Sequence, residues 1–192
     1  MNHSMPRKIT IGQLAPQFEA VDVFGNKVKL GDYKNKYTLV VFLRYAGCPW
    51  CNLAVHRLAL EQKILKNSRC QIVAFIQSEK NNIISNIYER HQPKPEFPIV
   101  ADLAGIYYEK YDVKTSFKAL VKSIKKLPYW IYSVRELGFK QSKVDGNWLM
   151  VPAMFLISDG DQRILEAAYS ADFYDNETFT EIYQKLIFDR AM

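Results

Sequence analysis

The run YTLVVFLR at residues 37–44 constrains the fold more than any other stretch. It is apolar and β-branched, and it does not alternate. A strand with one wet face alternates, whereas one covered on both faces reads as a continuous apolar run. Residues 37–44 are therefore predicted to be a central strand with layers on either side. A helix is predicted from Pro49 to Lys66, with Pro49 at the first helical position, where its missing N–H costs nothing. Its apolar residues form two stripes, Val55–Leu58–Leu65 and Leu53–Leu60–Ile64, so cover on more than one side is expected.

The same alternation of strand and helix continues. CQIVAFIQ (70–77) reads as a second central strand, 79–91 as a helix, PIVAD (98–102) as a short strand and 103–111 as a short helix. MFLIS (154–158) and RILEAAY (163–169) read as a hairpin around Asp159-Gly160. Residues 176–190 read as a closing helix with Phe179, Ile182, Tyr183, Leu186 and Ile187 inward. At the front, FEAVDV (18–23) and KVKL (27–30) flank a turn at Gly25 and predict a β-hairpin. The pattern implies an α/β fold, a central mixed sheet flanked by helices, in one domain over residues 1–192.

Residues 114–150 interrupt the alternation as a helical insertion. Phe117, Leu120, Val121 and Ile124 have the spacing of an amphipathic helix, and Pro128 breaks or kinks it. Between 114 and 143 the net charge is +7, so this segment carries more than the whole chain's +6. Two readings stand. In one, the segment is a cover whose apolar side packs on the sheet edge and whose lysines are simply solvated. In the other, the lysines recruit an acidic partner, such as a reductase or an anionic membrane surface. Nucleic acid is not expected, because no binding motif accompanies the charge.

Cys48 and Cys51 stand two residues apart at the end of the first central strand. Three cysteines in 192 residues do not make a disulfide scaffold, and a close pair in a reducing compartment is catalytic or metal-binding. The longest clear apolar run is Tyr37–Leu43, far short of the roughly 20 residues of a membrane span. The first residues lack a signal-peptide core, so a cytoplasmic protein is expected. Zinc would need two further ligands from Cys70, His3, His56 and His91, and none has a partner at metal-site spacing. No metal is expected.

Cys48 falls at the helix start, where unpaired N–H groups and the helix dipole stabilise a thiolate. Arg44, at the strand end, adds positive charge. Cys48 is then the attacking sulfur, and Cys51, one turn on, closes the disulfide. Trp50, between them, reads as an exposed substrate contact. His56 reads as a solvated histidine and Cys70 as a buried inert thiol. Far downstream, Val151-Pro152 precedes a buried strand, a position where proline is tolerated.

Taken together, these elements resemble the thioredoxin-like superfamily, and within it the peroxiredoxin-like, AhpC/TSA-type antioxidant branch. Gly12, Ala15-Pro16, Phe18, Asp22, Gly25 and Leu30 match the front hairpin signature G-x-x-A-P-x-F…D-x-x-G. VVFLRYAGCPWC is similar to the branch's strand-to-cysteine core, and FPIVADLAGIYYEKYDV to its next conserved segment. The resemblance implies a thiol-dependent redox enzyme acting on a peroxide or a disulfide. It would need no bound cofactor and would be reset by an external thiol such as thioredoxin or glutathione. Many members dimerise, so a homodimer is compatible with it. It also implies that Pro152 is cis and faces the dithiol, leaving the Val151 backbone free for substrate. The chain departs from typical peroxiredoxins at Val41 and Tyr45, where those have Pro and Thr or Ser, and at Pro152, where they have Arg. Arg44 can replace the lost charge and Tyr45 the lost hydroxyl. A disulfide reductase of glutaredoxin or thioredoxin type and a non-catalytic redox sensor are the competing readings.

Overall fold

A computed structural model describes residues 8–33, 36–174, 180–182 and 184. Five strands form the central sheet in the order β5-β4-β3-β6-β7. They are β3 (Tyr37–Leu43), β4 (Cys70–Ile76), β5 (Ile99–Ala101), β6 (Ala153–Ile157) and β7 (Ile164–Tyr169). β3, β4 and β5 run parallel, while β6 and β7 are antiparallel to their neighbours, which makes the sheet mixed. As expected from its composition, β3 lies at the centre, and from Thr38 onward every residue is buried. Its side chains divide by parity. Leu39, Val41 and Leu43 enter the core on the dithiol side, and Val40 and Phe42 enter the opposite one. The Tyr108 hydroxyl lies against the carbonyls of Leu43 and Phe75, tying the ends of β3 and β4 together.

The predicted front hairpin forms a separate small sheet of β1 (Glu19–Val21) and β2 (Lys27–Lys29). Its turn needs Gly25 at φ +93°, a region open to glycine, and Asp22 accepts the Phe24 and Asn26 amides across it. The helices are α1 (Pro49–Asn67), α2 (Lys80–Ile83, continued by a π turn over Ile84–Tyr88), α3 (Ile106–Lys110), α4 (Phe117–Ser123) and α5 (Leu127–Arg135). Of the expected closing helix, residues 180–182 and 184 are helical and Ile182 is buried; the rest lies outside the described residues. No helix among the described residues is long and apolar enough to cross a membrane.

Two expectations about faces fail. On α1, Val55, Leu58, Leu65 and Leu53 are buried, but Leu60 and Ile64 are exposed, so the second stripe is only partly covered. On α4 the amphipathic reading holds for Leu120, which is half-buried against Ala119, Val151 and Phe173, and fails for the other three residues. Ala119 and Ser123 are buried, while Phe117, Val121 and Ile124 face solvent. Helix α4 meets the body through a polar contact, with the Ser123 hydroxyl accepting the Phe173 amide at 2.8 Å. Pro128 does not end the segment: a 3-10 turn (Ile124–Lys126) joins α4 to α5, and Pro128 lies in the first turn of α5.

Candidate active site

The site forms where β3 runs out. Cys48 is the N-cap of α1, with extended backbone, and Pro49 begins the helix. Both cysteines are 1% exposed. Burial pushes each thiol up, yet their surroundings separate them. At Cys48 burial is outweighed by a hydrogen bond from the Cys51 thiol, the charge of Arg44 and the Cys51 and Trp50 amides, which together bring it down to about 6. At Cys51, burial and the neighbouring Cys48 sulfur push the thiol well above its ordinary value. One sulfur is thus an anion near neutrality, and the other remains a thiol that donates to it.

Arg44 is itself buried. Its Nη1 donates to Cys48 Sγ at 3.6 Å and its Nη2 to the Trp148 carbonyl at 2.5 Å, while its guanidinium lies 3.7 Å from the centre of the Phe173 ring. The sulfur therefore has a fixed counter-charge that water does not screen. Tyr45, also buried, donates its hydroxyl to Gln141 Oε1 at 3.3 Å, and burial raises it to about 12.

A strap from Gln141 to Trp148 lies over this loop. Ser142 N donates to the Gly47 carbonyl at 3.0 Å, and Asp145 accepts from the Ser78 hydroxyl at 2.6 Å and the Glu79 amide at 2.8 Å. Ser78 in turn accepts the Ala46 amide. The contact is close: a Cβ on Gly47 would come within 2.5 Å of Ser142 Oγ and 2.6 Å of the Lys143 carbonyl. The insertion thus lies over the Cys48 loop and holds it by one main-chain bond and by the Asp145 carboxylate through Ser78.

Asn52 and His91 form a support that sequence reading missed. Asn52 Nδ2 donates to the Ala46 carbonyl at 2.6 Å and the Cys48 carbonyl at 3.0 Å. Its Oδ1 therefore accepts, so His91 Nε2, at 2.9 Å, carries a proton. His91 is fully buried and stacked on Phe139, and burial depresses it to about 3. His56 is not solvated as expected; it packs against Phe139 and is also depressed by burial. A polar amide one turn into a helix is the only signal in sequence that pointed here. Phe173 had none.

Trp50 is not the exposed contact its position suggested. It is half-buried, donates Nε1–H to the Lys126 carbonyl at 3.1 Å and packs near Phe173, so its indole is held by the insertion. Pro152 lines, with Cys51, Trp50, Met154 and Phe173, a cavity of about 20 Å³, room for about one water. Val151 does not offer a free backbone. Its N–H donates to the Lys114 carbonyl at 3.1 Å, and its side chain packs on Ala119 and Phe173. Among the described residues the cis peptide is Gln92–Pro93, so Val151–Pro152 is trans, contrary to the resemblance. The insertion occupies the edge where an extended substrate would pair. Cys70 is buried at the start of β4, away from the pair, as expected.

Among known proteins, the chain is 28% identical over 113 residues to the thiol-disulfide oxidoreductase ResA of Bacillus cereus, covering 57% of this chain and 62% of that one. The match thus spans about three-fifths of that relative's length. Among solved structures, peroxidoxin BcpB of Mycobacterium tuberculosis aligns over 96% of this chain and 98% of its own, with a TM-score of 0.64 and 15% identity. A thiol peroxidase of Chromobacterium violaceum aligns over 98% of this chain and 91% of its own, with a TM-score of 0.65 and 15% identity. At that identity the likeness concerns the fold, which is thioredoxin-like. The AhpC/TSA family model matches residues 11–161, a stretch that holds the front hairpin, both cysteines, the strap and β6, and on that match the chain belongs to the AhpC/TSA family.

Proposed function

We propose that this chain is a thiol-dependent oxidoreductase that reduces small hydroperoxides, with Cys48 as nucleophile and Cys51 as resolving thiol. The observation that carries this reading is a sealed sulfur anion with a buried guanidinium on it. A small peroxide is activated by a desolvated sulfur with a positive charge near the departing oxygen. The Cys48 thiolate attacks the terminal peroxide oxygen and the O–O bond breaks. Cys48 becomes a sulfenic acid, and the departing alkoxide or hydroxide takes a proton and leaves as alcohol or water. The Cys51 sulfur then displaces the sulfenic oxygen as water, which gives the Cys48–Cys51 disulfide. Two equivalents of external thiol, from thioredoxin or glutathione, restore the dithiol and leave as a disulfide.

Arg44 stabilises the Cys48 anion, Pro49 sets the helix start, and Tyr45, Trp50, Val151 and Pro152 shape the surroundings of the sulfurs. A cytoplasmic setting, where glutathione and thioredoxin keep thiols reduced, fits a chain with three cysteines and one close pair. The test is to expose the Cys51→Ser variant to hydrogen peroxide and organic hydroperoxides and to trap the sulfenic acid. Rapid trapping at Cys48 is expected, with catalytic turnover lost in Cys48→Ser. The likeness to a thiol-disulfide oxidoreductase favours the other reading. Indifference to peroxide, with fast turnover of a mixed disulfide, would replace the peroxidase by a disulfide reductase.

A further inference from the structure

The exposed apolar face of the insertion has no role in the chemistry above. From Phe117 to Arg135 the chain is helical almost without a break, through α4, the 3-10 turn and α5. Small residues attach it to the body: Ala119, Ser123 and Ser133 are buried, and the Ser133 hydroxyl donates to the Pro49 carbonyl at 2.7 Å. Leu120 is half-buried against Ala119, Val151 and Phe173, and four other large apolar residues point away. Phe117 is 66% exposed, Val121 55%, Ile124 69% and Leu127 47%. Their spacing puts them in one ridge along the helix. Lys118, Lys122 and Lys125 follow Phe117, Val121 and Ile124 by one residue each and form a parallel row, and residues 114–135 contain no acidic side chain.

We propose that this ridge is a docking face for an anionic lipid bilayer, on which the protein lies without crossing it. An apolar ridge beside a lysine row is the arrangement that inserts side chains below the headgroups while the ammonium groups meet phosphates. The other occupants fit less well. A second copy would bring two acid-free basic faces together. A folded acidic protein would satisfy the lysines, but it would have to offer a matching groove to a convex row of aliphatic side chains, whereas a fluid bilayer adapts to them. The inference does not depend on which oxidant the dithiol reduces.

The test uses the full chain, reduced, in flotation with vesicles of phosphatidylcholine and with vesicles of equimolar phosphatidylcholine and phosphatidylglycerol. Binding at least tenfold stronger on the anionic vesicles is expected, and raised salt should weaken it. Each lysine changed among Lys118→Gln, Lys122→Gln and Lys125→Gln should lower partition by about fivefold. Val121→Glu with Ile124→Glu should abolish it at unchanged thermal stability, because both side chains are exposed. Equal binding to both vesicle types, or none, overturns the proposal. So does binding that the double glutamate variant retains, which would be charge attraction alone. A concentration-dependent dimer that the glutamate variant loses would assign the face to a second copy instead.

Discussion

At the scale of the residue, one guanidinium governs the site. Arg44 has a buried sulfur on one side and the Phe173 ring on the other, and its charge lowers the Cys48 thiol. Arg44→Gln keeps a donor and removes the charge. The midpoint for thiolate formation, read by ultraviolet absorbance, is expected to rise from about 6 by about one to three pH units, and the pH profile of peroxide or disulfide reactivity should move with it. His91 gives a second titration, of opposite kind. It is held neutral, near 3, against an ordinary value of about 6.5 for the unfolded chain. Between those values the unfolded chain binds the extra proton, so stability falls as pH falls from 6.5 towards 3. His91→Gln retains a donor for Asn52 and removes the titration. Its urea midpoint should therefore change less with acid than the wild type's, by an amount worth about 2–5 kcal/mol across that range. The sequence announced Cys48, Cys51, Pro49 and Arg44 because strand end, cap and helix start are local. It was silent on His91 and Phe173, whose roles exist only where distant segments meet.

At the scale of the element, β3 was readable because burial on both faces leaves an unbroken apolar run, and α4 was misread because apolar spacing does not say which way a helix faces. There Phe117, Val121 and Ile124 went to solvent, while Ala119, Ser123 and, in part, Leu120 went inside. The strap had no pattern at all; its fit depends on glycines that admit backbone. Gly47→Ala would drive a methyl into Ser142 and Lys143, and a cost of about 1–3 kcal/mol is expected in denaturant unfolding. The same change should free the strap, so that proteolysis within 141–148 and alkylation of Cys48 by iodoacetamide both accelerate. A slower alkylation than wild type would show that the strap does not seal the sulfur.

At the scale of the whole molecule, the fold and the oxidation state are linked. The folded reduced protein holds Cys48 as an anion above about pH 6, whereas the unfolded chain does so only above about 8.5. This stabilisation is present at alkaline pH and is lost as pH falls through 6, and the disulfide form has no such titration. The stability of the reduced protein relative to the oxidised one is expected to rise by about 2 kcal/mol between pH 6 and pH 8 and to be flat below pH 6, in parallel thermal melts of the two forms.

The contact of Phe173 with Arg44 also bears on how the protein is made. Synthesis proceeds from the N-terminus, so both cysteines leave the ribosome long before the ring that completes their surroundings. β6, which borders β3 in the sheet, comes late as well. A nascent chain therefore holds Arg44 and Cys48 before it holds the ring that the guanidinium faces.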